Sequence, residues 1–236
     1  MKVRVIIAIV SLLLAGCVWK EYLFVEQGFE PEDYVNYALA SNGARVRVSQ
    51  DNPYHPASTL INGVKDPSLW DEGEGWEAEC VKTAYDLFEG RRETSVLALG
   101  WVIVEFPEPK RINRIIIYTL DSEKYPAHVY GVKDLVIQYK PYNPSLPSPG
   151  WFGIERTDRK LGQPLSGVRD NKEGVIDIRF KPVLTQAVRI TIQGTNDMKL
   201  ISGFPPQVRG TIRLLEIEIY GLERKSSSRP SERPIF

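Results

Sequence analysis

Two cysteines, two histidines and one dense acidic run are the groups in this chain whose chemistry could exceed packing. A cysteine nucleophile needs a base placed to draw off its proton. Neither His55 nor His128 stands in a recognisable nucleophile motif, so Cys80 reads as a buried, inert thiol. Asp71, Glu72 and Glu74 offer paired carboxylates, the minimum for acid and base work, but the stretch fits a solvated turn better. The chain carries no Gly-x-Ser-x-Gly elbow, no histidine-rich metal cluster and no phosphate loop. It reads as a non-enzyme.

The other cysteine sits where it can be modified. Behind Lys2 and Arg4, an apolar run from Val5 to Leu14 leads into Leu14-Ala15-Gly16-Cys17. That run is short for a membrane span, which needs about 20 apolar residues, and fits a secretory signal. The four residues resemble the lipobox of bacterial lipoproteins. The resemblance implies that residues 1–17 are a lipoprotein signal with acylated Cys17 as the mature N-terminus, and that the partner is a membrane reached through the lipid. Val18 beside the anchor, in place of aspartate, implies an outer-membrane address in a two-membrane bacterium.

Removing residues 1–17 takes away Lys2 and Arg4 and no acidic residue, so 30 basic against 30 acidic becomes 28 against 30, a net charge of −2. Basic residues are dispersed rather than clustered with aromatics, which argues against nucleic acid as a partner. With Cys17 acylated, Cys80 has no intrachain partner for a disulfide. Burial of apolar surface must stabilise the fold.

Short runs rich in β-branched and aromatic residues, bounded by Gly, Pro, Asn and Asp, predict an all-β sandwich or barrel. In 186–193, Val188, Ile190 and Ile192 oppose Arg189, Thr191 and Gln193; in 212–220, Leu215, Ile217 and Ile219 oppose Glu216 and Glu218, giving each strand one wet face. Residues 101–106 and 112–118 read as central strands meeting in a hairpin at Pro107-Glu108-Pro109-Lys110. Strands are also expected at 45–49, 133–139, 151–157 and 174–180. From Glu77 to Glu89, the spacing of Cys80, Val81, Ala84, Leu87 and Phe88 predicts a short amphipathic helix within an insertion over 71–99. Residues 18–35 read as a linker and 222–236 as a disordered tail, leaving one domain over 36–221.

Along that domain the residues become recognisable. Asn36-Tyr37-Ala38, Ile61-Asn62-Gly63 with Trp70, Trp101 to Phe106, Ile112-Asn113-Arg114-Ile115, Ala187-Val188-Arg189-Ile190 and Leu215 to Gly221 occur in the order of the discoidin-like, coagulation factor 5/8 type C family, which they resemble. The resemblance implies a jelly-roll β-sandwich, galactose-binding domain-like, here with a short helical insertion, and a ligand site on loops at one end. It implies a glycan-binding, non-catalytic module. A protein-interaction or scaffold subunit of a cell-envelope complex is the alternative, because relatives also bind proteins and phospholipid head groups.

Similar modules hold a structural calcium beside the Asp-Gly turn and the last strand. Here that implies Ca2+ on oxygens of Asn62, Asp66, Ser68 and Glu216, although Asn62 stands where the family has Asp. Sugar sites pair an aromatic face with a few placed polar groups. The loops offer Tyr54 and His55 between prolines, His128 and Tyr130 in a second loop, and Trp76 and Trp151, which packing could equally use. The resemblance singles out Phe204, in Ser202-Gly203-Phe204-Pro205-Pro206, as the ring that stacks on the sugar.

Overall fold

The computed structural model describes residues 34–83, 96–98, 100–143, 145, 150–203 and 207–224. The chain divides into a central unit, Asn36–Glu223, and the terminal segments Met1–Val35 with Arg224–Phe236. Cys17 and Phe204 lie outside the described residues. Eleven strands are described: β1 (Tyr34–Asn36), β2 (Arg45–Val48), β3 (Trp76–Thr83), β4 (Val96–Ala98), β5 (Gly100–Thr119), β6 (Val132–Pro141), β7 (Phe152–Gly153), β8 (Gly167–Val168), β9 (Val175–Thr195), β10 (Lys199–Ile201) and β11 (Gln207–Arg224). Among the described residues the one α-helical turn, α1, spans Ala127–Tyr130.

The sheet runs β4-β3-β11-β5-β9-β6-β7, with β2 on β5, β8 on β6 and β10 on β11. It is antiparallel at each of these pairings. This is the all-β sandwich that the residue pattern predicts, of the jelly-roll type that the discoidin-like resemblance implies. The two layers are joined through β5 and β9, which are long enough to belong to both. Their first and second halves pair in one direction, Gly100 to Glu105 with Ile192 to Ala187, and Lys110 to Tyr118 with Thr185 to Val175. The Pro107-Glu108-Pro109-Lys110 segment is therefore a bulged bend in one strand, and the expected hairpin does not form. Two prolines remove ladder donors, so the strand changes layer there instead of reversing.

The helix predicted over 77–89 is also corrected within the described residues. Trp76–Thr83 is a strand whose whole length pairs with β11, from Leu214↔Trp76 to Gln207↔Thr83. Trp76, Ala78 and Cys80 are buried while Glu77 and Glu79 are not, which is a period of two. The helical spacing at Cys80 and Val81 was a local coincidence, overridden by pairing with a long central neighbour. Residues 84–89 lie outside the described set.

Between the layers, Val102, Val104, Ile115, Ile117, Ile137, Val188, Ile190, Ile192, Ile217 and Ile219 form the core. The alternation that placed these residues inward holds, but the wet face expected for β11 does not. Glu216 is fully buried and Glu218 nearly so, because the segment after Asn62 lies across them. Gly63 N donates to Glu216 Oε2 at 3.2 Å, and Lys65 Nζ lies 2.9 Å from Glu218 Oε1.

Candidate functional site

One end of the sandwich is built from the loops after β2, before β3 and between β5 and β6. Its floor is apolar: Trp70, Leu120 and Leu215 pack together, with Tyr118 and Tyr125 against them. Trp70 is carried by a 3-10 turn, Pro67–Glu72, whose start is fixed by Asp66 Oδ1 accepting from Ser68 N at 2.9 Å. Gly73 ends that turn at φ +97°, where a Cβ would also stand 2.8 Å from the Tyr54 carbonyl oxygen. Only glycine meets both demands, and it brings the Tyr54–His55 loop down onto the turn. The His55 ring then lies on Trp70, with centroids 4.1 Å apart and planes 19° from parallel.

The opposing wall is the loop into α1. Asp121 Oδ1 accepts from Ala127 N at 2.9 Å, and Asn196 Nδ2 donates to the Ala127 carbonyl at 2.9 Å, which ties the short helix to β9. Tyr130 stands edge-on to Tyr125 at 5.7 Å and beneath the Arg213 guanidinium at 5.4 Å. Arg213 is itself held by Asp197 Oδ2 at 2.8 Å. Tyr125 is thereby positioned by this chain of contacts together with its own loop, where its N–H donates to Ser122 Oγ at 3.0 Å and its carbonyl accepts from Ser122 N at 3.1 Å.

A cleft of about 230 Å³ opens between the two walls, lined by residues that include Ser68, Trp70, Asp71, Glu123, Lys124 and Tyr125. At its mouth Lys124 Nζ donates to Asp71 Oδ2 at 2.6 Å and lies 4.9 Å from the Tyr125 ring centre, while Tyr125 OH donates to Asp71 Oδ1 at 3.3 Å. The hydrogen bond from Lys124 holds the Asp71 carboxyl below its usual range and raises Lys124. An aromatic face beside a carboxylate and an ammonium suits a ring with one C–H face and a rim of hydroxyls.

The expected ligand residues divide. His55 stacks on the Trp70 ring beside the cleft, Tyr54 is 81% exposed next to it, and His128 is exposed on α1. Trp76 is a correction: it is fully buried, its Nε1 donating to the Gln50 carbonyl at 2.9 Å, so it supports the core and cannot touch a ligand. The residue pattern places Asp71 in a solvated turn rather than a ligand site and gives no role to Lys124 and Tyr125. The signal available was Tyr125 immediately before Pro126 in a loop bracketed by Asp121 and His128, but no spacing rule couples it to Asp71, 54 residues earlier.

Of the four expected calcium oxygens, the structure brings the turn to the buried strand only through the Gly63 backbone. Glu216 Oε1 is buried with no hydrogen-bond partner, and desolvation pushes the carboxyl up to about 9. Asn62 Oδ1 accepts from Val64 N and its amide donates to Glu74, while Asp66 Oδ1 accepts from both Ser68 N and Oγ. Among the described residues no three acidic, histidine or cysteine side chains gather as a metal group. An orphaned buried carboxylate oxygen next to a turn of oxygen donors fits a hard divalent cation, with carbonyls and hydroxyls completing its shell. Cys80 is buried, and desolvation raises its thiol to about 11, which keeps it unreactive.

No family model matches the chain, and no curated protein does. Solved structures do. The family 32 carbohydrate-binding module of Streptococcus pneumoniae EndoD is 17% identical, covers 79% of this chain and 99% of its own, and superposes with a TM-score of 0.51. Chitosan-binding module 1 of a Paenibacillus sp. IK-5 chitosanase/glucanase, at 16% identity, covers 80% and 100% with a TM-score of 0.45. A Clostridium perfringens family 32 module in complex with GalNAc-β-1,3-galactose, at 10% identity, covers 78% and 99% with a TM-score of 0.47. Strand order, the loop-bearing end and the superposition on the EndoD module give one conclusion: the chain has the discoidin-like, galactose-binding-like fold of the family 32 carbohydrate-binding modules.

Proposed function

We propose that the protein is a lipid-anchored, non-catalytic glycan-binding module of the bacterial cell envelope, taking its sugar in the loop-end cleft. The observation that carries this reading is the cleft itself, where Tyr125 is presented beside the Asp71–Lys124 pair over an apolar floor. The EndoD module, on which the chain superposes, is a carbohydrate-binding module, which supports the same class. Tyr54 and His55 flank the cleft, and Phe204 adds a stacking ring by resemblance. Cys17 supplies the lipid attachment.

Glu216 would hold a calcium ion together with oxygens of the 62–68 turn. When bound, the ion supplies the positive charge that the buried carboxylate lacks and stiffens the turn that carries Trp70. The side chains do the recognition: Tyr125 offers a face, and Asp71 and Lys124 offer an acceptor and a donor to sugar hydroxyls. Printing neutral and charged glycans on an array and applying the full chain in detergent tests the reading. Binding that Tyr125→Ala weakens supports it. An array with no bound glycan, with the chain instead capturing an envelope protein, would replace it with the scaffold role.

A further inference from the structure

On the outer face of the layer β2-β5-β9-β6 stands a guanidinium that no carboxylate meets among the described residues. Val102, Val104, Val188, Ile190, Leu135 and Ile137 point into the core. Alternation therefore turns Trp101, Ile103, Arg189, Thr191, Val136 and Gln138 the other way. The register sets Arg47, Ile103, Arg189 and Gln138 in one row, and Trp101, Thr191 and Val136 in the next. None of them lines the cleft.

Arg189 is held on two sides. Its guanidinium carbon lies 4.7 Å from the Trp151 ring centre, and its Nε and Nη2 both donate to Gln138 Oε1, at 3.0 and 2.6 Å. Those contacts leave the Nη1 amino group and the second Nη2 hydrogen pointing away from Gln138. They form the parallel pair of donors that a carboxylate accepts with both oxygens. Among the described residues neither Arg189 nor Lys140, two residues beyond Gln138 on the same face, has an ion-pair partner. The acidic residue in the adjacent row, Glu105, is already taken by Arg47 at 2.6 Å. Burial pushes the Arg189 guanidinium below its ordinary value.

A guanidinium held on two sides with a pair of donors left over is set to receive an anion from outside. We propose that this face is a second saccharide site, selective for a sugar that bears a carboxylate, such as a uronate. The carboxylate takes the free edge of Arg189 with Lys140 nearby, and the attached ring lies toward Thr191 and Trp101. The charged two-donor fork of Arg189 selects this ligand over a neutral one, and the site operates whether or not the cleft binds glycan.

Calorimetric titration of the full chain with digalacturonate and with neutral digalactose tests the assignment. The uronate should bind about tenfold or more tightly than the neutral disaccharide, and added salt should shrink that ratio. Arg189→Gln should abolish the preference, whereas Tyr125→Ala should leave it intact. Equal affinity for the two sugars, no uronate binding, or a preference unchanged in Arg189→Gln overturns the proposal. A preference lost in Tyr125→Ala instead places the uronate in the cleft and overturns it as well. Should Arg189→Gln fail to fold, Arg189→Lys decides, since it keeps the charge and loses the fork; full retention of the preference would then count against the site.

Discussion

The backbone N–H of Gly63 donates to Glu216 Oε2 across 153 residues of sequence, and it is the one hydrogen bond described for a carboxyl that is fully buried. Its second oxygen has none. Desolvation raises the carboxyl from 4.5 to about 9. The folded chain therefore holds a proton that the unfolded chain releases between those values, and stability must fall as pH rises through that window. Metal-stripped protein should melt at progressively lower temperature from pH 5 to pH 9. Calcium should remove most of the fall, and Glu216→Gln should remove both the pH dependence and the calcium response. A flat melting profile in metal-stripped protein with no calcium effect would reject the cation reading.

Tyr125 lines the cleft but is held by Tyr130, over which Arg213 lies in turn. Replacing it with Ala should weaken glycan binding by roughly five- to thirty-fold, the equivalent of about 1 to 2 kcal/mol, with little change in melting temperature. Asp71→Asn should weaken it too, by removing an ionised acceptor. Titration beside a thermal melt checks both variants. Wild-type affinity in each of them would move the site elsewhere.

Trp76 has the opposite signature. Fully buried and bonded to Gln50, it should cost about 3 to 5 kcal/mol on replacement by Ala. The melting temperature should drop by about 2 to 4 °C for each kcal/mol. Ligand affinity of the fraction that remains folded should hold. A stable Trp76→Ala protein that has lost glycan binding would restore Trp76 to the site.

The anchor is tested apart from the fold. Two or more acyl chains give stable membrane attachment, one gives marginal attachment. Wild-type protein should partition with membranes and carry added mass at Cys17, and Cys17→Ser should be released or remain unprocessed. Equal partitioning of the two proteins with no added mass would dismiss the lipid.

The local pattern of the chain was enough for its class. Alternation in 186–193 and in Leu215, Ile217 and Ile219 reads directly from residue types, because a strand buried on one side repeats every two positions whatever its neighbours are. The ordered segments from Asn36 to Gly221 carried the discoidin-like resemblance for the same reason. Four features depended on partners far along the chain and only the tertiary structure decided them. Trp76–Thr83 became a strand because β11 offered an edge of matching length. Pro107 to Lys110 became a bend because both halves of β5 found β9. The cleft joins Asp71 to Lys124, 53 residues apart, and Glu216 lost its water to a turn laid down 153 residues earlier. Side-chain period is a property of adjacent residues, whereas burial of a charge and the meeting of loops are properties of the closed sandwich. No spacing rule within a single strand records either.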